Sequence, residues 1–213
     1  MSERILAVDT TFGACSVALL AGERVLARRL EVMQRGHAEA LAPMATAVMH
    51  EAGIGFDEID RLAVTTGPGS FTGQRVGLAF MRGLRIALSK PLIGITSLSA
   101  MAAEAVAETS CAVAAAVHDA KRGEVYLETT NGHAAQILTV EAACALLQPL
   151  GSLALAGTGA ALMVQACPLA KITSILAPDA VWVARLAAGL TDTGLAPRPL
   201  YLRPPDAKLP AAR

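Results

Sequence analysis

Thr65-Thr66-Gly67-Pro68-Gly69-Ser70-Phe71-Thr72-Gly73-Gln74-Arg75-Val76-Gly77 decides the fold of this chain, because it combines a strand end, a rigid turn and a helix start. Gly67 and Gly69 reach backbone angles closed to other residues, and Pro68 locks one torsion between them, so a strand over Arg61 to Thr66 must turn sharply here. Ser70 or Thr72 then caps a helix over about Phe71 to Ser89. Gly73, Gly77, Ala79 and Gly83 weaken that helix's intrinsic propensity yet allow another helix to approach closely, which points to a packing or functional reason for them.

Upstream, Arg4 to Val8, Ser16 to Leu20 and Arg24 to Leu30 read as three successive strands of an antiparallel meander. A helix from His37 to Ala52 follows, with Leu41, Met44, Ala45, Val48 and Ala52 at helical spacing, and Gly53 and Gly55 end it. The strand and helix of the opening segment, then a strand over Leu92 to Ile95, complete a strand-helix-strand-helix unit, so residues 1–105 form one lobe. After a helix over about Ser97 to Ala107, residues 106–213 start a second lobe. Its expected elements are strands over Cys111 to His118, Glu124 to Thr130 and Leu153 to Ala156, with helices over Val140 to Leu147 and Asp179 to Thr191. A proline-punctuated tail from Pro197 to Pro210 ends the sequence, and Tyr201-Leu202-Arg203 within it is expected to dock on a surface.

Composition excludes several classes of function. The chain has 213 residues, of which 54% are hydrophobic and only 3% aromatic, a core of helices on sheets built largely from Ala, Leu and Val. Eighteen basic residues balance eighteen acidic ones, so no global field draws the protein onto nucleic acid or an anionic membrane. No apolar run reaches the roughly 18 residues of a membrane span. Cys15, Cys111, Cys144 and Cys167 are scattered without a Cys-x-x-Cys pair, which argues against zinc and a disulfide framework and for a cytoplasmic location.

Candidate chemistry is sparse. Asp9, Thr10 and Thr11 end the first strand with a carboxylate and two hydroxyls that could hold hydrated magnesium and nucleotide phosphates, or simply form a turn that satisfies backbone donors. His37 and Glu39 sit two apart and make no helical metal face. His118 and Asp119 lack a nucleophile elbow. Gly157-Thr158-Gly159 reads as a close helix–strand crossing before a phosphate loop, since a third glycine is missing at Leu162. Arg75, Arg82 and Arg85 on the second helix would meet phosphate, an acidic partner helix or solvent.

Ile5-Leu6-Ala7-Val8-Asp9-Thr10, His37-Ala38-Glu39-Ala40-Leu41, the Gly67–Gly77 segment, Asp119-Ala120-Lys121-Arg122-Gly123-Glu124-Val125-Tyr126 and Pro199-Leu200-Tyr201-Leu202-Arg203 occur in an order that resembles the TsaB family, also called YeaZ. The resemblance runs over essentially the whole chain. It implies an α/β, two-lobed actin-like ATPase (RNase H-like) fold, with a mixed sheet flanked by helices in each lobe. It also implies a non-catalytic subunit of the machinery that makes threonylcarbamoyladenosine next to the anticodon of tRNA. The implied partners are the related catalytic subunit TsaD and the ATPase TsaE, with a homodimer when alone, tRNA met only through the complex, and no membrane. No cofactor is expected to be tightly bound, with ATP or ADP and magnesium in the assembled complex. Where the catalytic relative carries metal-binding histidines, this chain has Ser97 and Met101, neither a comparable ligand. The partner surface is expected on the two first-lobe helices, at His37, Leu41, Met44, Val48, Gly73, Arg75, Val76, Gly77, Phe80 and Leu84. An independent nucleotide-dependent transferase or peptidase of the same fold is the alternative.

Overall fold

The computed structural model describes residues 2–203, so the tail beyond Arg203 lies outside the described residues. Among the described residues, ten strands form two five-stranded sheets. The first is built from β1 (Arg4–Asp9), β2 (Ala14–Ala21), β3 (Arg24–Val32), β4 (Arg61–Gly67) and β5 (Leu92–Thr96) in the order β3-β2-β1-β4-β5. The meander pairs are antiparallel, whereas β1–β4 and β4–β5 are parallel and are connected through helices.

Both faces of this sheet are buried, which explains why β1 reads as a continuous apolar run. Successive side chains point to opposite faces. Leu6 and Val8 meet α1 (His37–Ala52) and α2 (Phe71–Leu88), while Ile5 and Ala7 meet α5 (Ala180–Ala188).

The second sheet repeats the plan of the first. β6 (Ala114–Lys121), β7 (Glu124–Thr129) and β8 (Gln136–Thr139) form an antiparallel meander, and β9 (Ala154–Ala156) and β10 (Lys171–Ile172) add in parallel, in the order β10-β9-β6-β7-β8. Helix α3 (Ser97–Thr109) covers one face and α4 (Val140–Leu147) the other. No sequence repeat accompanies this repeated topology.

The helices cross over between lobes. α3 follows the first sheet in the chain but contributes Leu98, Met101, Ala102 and Ala105 to the core against the second. α5 lies beyond the second sheet yet packs Ala180, Val183, Ala184 and Ala187 on the first. The placement of residues 106–213 in one C-terminal lobe is therefore corrected at α5, whose apolar stripe matches the open face of β1 and β2. The helix expected after Gly157 is also corrected, to a short 3-10 turn at Ala160–Met163.

The opening segment folds as its residues demand. Ser70 caps α2 by accepting a hydrogen bond from the Gly73 amide at 3.0 Å. A Cβ on Gly69 would lie 2.4 Å from the Thr11 carbonyl, and one on Gly73 would lie 2.0 Å from the Thr10 carbonyl. The close approach that the glycines allow is thus to the β1–β2 turn. Gly73→Ala is predicted to lower the unfolding free energy by about 3 kcal/mol through overpacking against fixed backbone. Gly83→Ala, where a Cβ meets nothing within 4 Å, is predicted to raise it by about 1 kcal/mol. Urea midpoints of the two variants check both signs.

Candidate functional site

The lobes meet around a cleft of about 650 Å³ lined by residues of the β1–β2 turn, the starts of α1 and α2, and His118, Asp119, Ala120 and Tyr126 of the second sheet. The Phe12 ring stacks on His118 with centroids 3.7 Å apart and planes 16° apart. Burial pushes the His118 imidazole down to about 4, so it is neutral at physiological pH and behaves as an aromatic surface. His37 turns its Nε2 to the Phe12 carbonyl at 3.2 Å. A second cavity of about 690 Å³ shares Gly13, Gln34, His118 and Asp119 with the first and is flanked by Arg28, Glu104, Glu108 and Asp179. Burial, then the charges of Asp179 and Glu108, push Glu104 up to about 7.

Of Asp9, Thr10 and Thr11, Thr11 alone is among the residues that line this cleft. All three residues are buried, because the network they form is internal. Asp9 Oδ1 accepts from Thr11 Oγ1 and Thr65 Oγ1, each at 2.6 Å, and from the Thr11 amide at 3.2 Å. Thr10 Oγ1 donates to the Gly73 carbonyl at 2.7 Å and accepts from the Gly77 amide at 3.0 Å. Asp9 Oδ1 and the Thr10 and Thr11 hydroxyls, the groups expected to meet a magnesium nucleotide, are engaged with the turn and with α2, whereas Asp9 Oδ2 is buried without a hydrogen-bond partner. Desolvation pushes the Asp9 carboxyl up to about 6, against the lowering effect of its hydroxyl and amide donors.

The expected partner residues divide by face. Leu41, Met44 and Val48 of α1 are buried in the first-lobe core, and Gly73 and Gly77 of α2 face the β1–β2 turn. Val76, Phe80 and Leu84 are half-buried at the edge of that core. The inward positions of Leu41, Met44, Val48, Gly73 and Gly77 are a correction, and its cause is plain: an apolar stripe at helical spacing first covers the chain's own sheet. His37 belongs to the cleft. The outward face carries Ala38, Ala42, Pro43 and Thr46 of α1 and Ala79, Gly83 and Ile86 of α2.

Arg75, Arg82 and Arg85 have a role that periodicity did not reveal. Arg85 donates to the Gly194 carbonyl at 2.6 Å, Arg82 to the Pro197 carbonyl and Arg75 to the Tyr201 hydroxyl at 3.1 Å. The docking of Tyr201 is borne out, against Phe71 with centroids 5.6 Å apart. A signal did exist in the sequence, in a row of arginines on one helix and a proline-rich tail whose carbonyls find few partners of their own. Ser97 and Met101 are both fully buried, Met101 in the core beneath the second sheet. Among the described residues, no group of three or more His, Cys, Asp or Glu could hold a metal ion. No helix of the described residues is long and apolar enough to cross a membrane.

Comparison with known proteins matches residues 30–156 to the family model described as tRNA N6-adenosine threonylcarbamoyltransferase, TsaD. The tRNA threonylcarbamoyladenosine biosynthesis protein TsaB of Escherichia coli K12 is 39% identical over 123 residues, 58% of this chain and 53% of that protein. The chain thus spans about half the length of the first curated relatives it matches. The structure of YeaZ from Pseudomonas aeruginosa superposes with a TM-score of 0.79 at 30% identity, covering 94% of this chain and 100% of that one. Component A of (R)-2-hydroxyglutaryl-CoA dehydratase from Acidaminococcus fermentans, at a TM-score of 0.54 and 10% identity over 87% of this chain and 97% of that one, shares the actin-like ATPase fold alone.

The Asp9 geometry makes a pH prediction with a definite sign. Its carboxyl titrates near 6 in the folded chain and near 3.8 when unfolded, so the folded state holds the extra proton between these values. Stability contributed by Asp9 is therefore present below about pH 4 and is lost as pH rises through about 6, by about 3 kcal/mol. The stability difference between Asp9→Asn and wild type should shift by that amount in favour of the variant between pH 4 and 7. Urea titrations at a series of pH values measure it, and a difference that stays constant would contradict the buried, protonated carboxyl.

Proposed function

This chain belongs to the TsaB family, also called YeaZ, and we propose that it is a non-catalytic activating subunit in the biosynthesis of threonylcarbamoyladenosine in tRNA. In this reading it pairs with the catalytic subunit TsaD, takes part in recruiting the ATPase TsaE, forms a homodimer when alone, and meets tRNA through the complex in the cytoplasm. ATP or ADP with magnesium belongs to the assembled complex. The name of the Escherichia coli relative and the matching family model support the pathway. Buried Ser97 and Met101, at the positions where the resemblance places metal-binding histidines, support a non-catalytic role.

The observation that carries the subunit reading is the outward face of α1 and α2. Ala38, Ala42, Ala79 and Gly83 are exposed there, and a Cβ on Gly83 meets nothing within 4 Å. Small side chains on two neighbouring helices let a second pair of helices approach to short interaxial distance, where ridges pack into grooves. Such a surface stabilises an interface, not a monomer.

Gly83→Arg tests this surface with little risk to the fold. Arginine is the better helix former by about 1 kcal/mol and has open space at this position. In the interface it would bury an unpaired guanidinium, at a cost of several kcal/mol. The variant should remain helical by circular dichroism, lose co-purification with TsaD, and elute later than wild type on gel filtration. A folded Gly83→Arg that binds TsaD with wild-type affinity would remove this face from the proposal. The wild-type chain assayed alone should show no threonylcarbamoyl transfer, ATP turnover or peptide cleavage, and turnover in any of the three would restore the independent-enzyme reading.

A further inference from the structure

The chain passes covalently between the lobes at Thr96–Ser97, where β5 ends and α3 begins, and again at residues 173–179, before α5. A third connection is made without covalent bonds by residues 194–203. Its first half grips the first lobe: Arg85 and Arg82 hold the carbonyls of Gly194 and Pro197, and the Leu200 amide donates to the Thr66 carbonyl at 2.8 Å. Tyr201 then stacks on Phe71 and accepts from Arg75, whose guanidinium lies 3.7 Å over the same Phe71 ring. Two residues later the contacts change lobe. Arg203 Nη1 donates to the Ala120 carbonyl at 2.7 Å, and Nη2 donates to the Lys121 carbonyl at 3.5 Å and to the Glu124 carboxylate.

The place where Arg203 lands is unusual. Lys121, Arg122 and Gly123, at the tip of the β6–β7 hairpin, have φ of 64°, 60° and 75°, so two side-chain-bearing residues in succession occupy the left-handed region. That region is unfavourable for L-residues and persists where surrounding contacts over-determine it. The pairing register also shifts between Asp119 and Lys121. Asp119 holds the tip from within the hairpin, accepting from the Lys121 amide at 2.8 Å and from Lys121 Nζ at 2.7 Å. Arg203 holds it from without, its planar guanidinium spanning two carbonyls and a carboxylate in a way that a point charge would not reproduce. The same hairpin supplies Asp119 and Ala120 to the cleft wall, opposite the start of α2.

We propose that residues 194–203 are a strap that latches the two lobes together, with Arg203 as its catch on the strained hairpin tip. Release of the strap from either lobe loosens the tip and lets the cleft open about the two covalent crossings. The strap therefore couples a first-lobe foothold at Tyr201 to the order of a second-lobe hairpin that Tyr201 does not touch.

That coupling is measurable in the full chain. Hydrogen exchange would be followed at the amides of residues 121–125 in wild type, Arg203→Ala and Tyr201→Ala, with small-angle X-ray scattering on the same samples. Both variants should exchange about tenfold faster at these amides and show a larger radius of gyration, with unchanged circular dichroism. The Tyr201→Ala result carries the weight, since a purely local role for Arg203 predicts no change there. Wild-type exchange at residues 121–125 in Tyr201→Ala, or in Arg203→Ala, would overturn the strap. Should either variant lose cooperative folding, Arg85→Ala, which frees the strap at Gly194, takes its place under the same criterion.

Discussion

The hydroxyl of Thr10 holds the first lobe in register. It donates to the Gly73 carbonyl and accepts from the Gly77 amide, the two backbone groups that an α-helix would pair with each other four residues apart. A side chain from the β1–β2 turn is thereby engaged with the hydrogen-bond ladder of α2, and nothing larger than glycine fits at either position beside it. The Ser70 amide adds a bond to the Thr11 carbonyl at 2.8 Å, so the turn before α2 and the turn after β1 are docked as one unit. The direction of α2 follows from this docking. So does the position of the arginine row that binds the tail, and of the outward face that the helix presents.

The joint between the lobes is built on a different principle, desolvated groups made neutral or paired. Phe12 from the first lobe stacks on a His118 that burial keeps uncharged, so the contact needs no counter-ion. Thr96 at the end of β5 caps α3 through the Ser99 amide at 2.9 Å and also donates to Glu128 of β7, which Ser99 Oγ meets at 2.5 Å. A first-lobe strand end, the crossing helix and a second-lobe strand thus share one carboxylate. With α3 packed on the second sheet and α5 returned to the first, each lobe is closed by a helix adjacent in sequence to the other. Separation of the lobes is then a rotation about two chain crossings and not a dissociation.

Much of this architecture was legible in the residues. The meander, α1 with its limits at His37 and Ala52, α2 with its Ser70 cap, and α4 follow from periodicity and capping that the structure reproduces. β8 and β10 escaped because four and two residues are too few to display a period. Gly157 illustrates how a glycine motif is decided by what lies behind it: its φ is 98°, and a Cβ would lie 2.2 Å from the Val117 carbonyl, so it permits a close strand crossing and the helix expected after it shortens to one turn. The site was less legible. The buried positions of Leu41, Val48 and Gly77 depend on which side of each helix meets the sheet, and the surroundings of Asp9 were not legible because one of its three hydrogen-bond donors comes from Thr65, 56 residues away.

Helix α2 reconciles these demands by giving each a separate face. Gly73, Gly77, Leu78 and Met81 turn to the β1–β2 turn and the sheet, Arg75, Arg82 and Arg85 to the tail, and Ala79, Gly83 and Ile86 outward. With 3.6 residues per turn, a helix of 18 residues has enough positions for three such stripes. Gly73 and Gly83 are ten residues apart, roughly 15 Å along the axis, beyond the distance at which substitutions ordinarily couple. The packing of α2 on its own lobe, its hold on the tail and its outward face are therefore separable by substitution in one helix. Measurable coupling between the outward and the strap faces would have to pass through movement of the helix as a rigid body. The Thr10 hydroxyl is the contact that would resist such movement, which places the control of both outer faces at the turn where β1 ends.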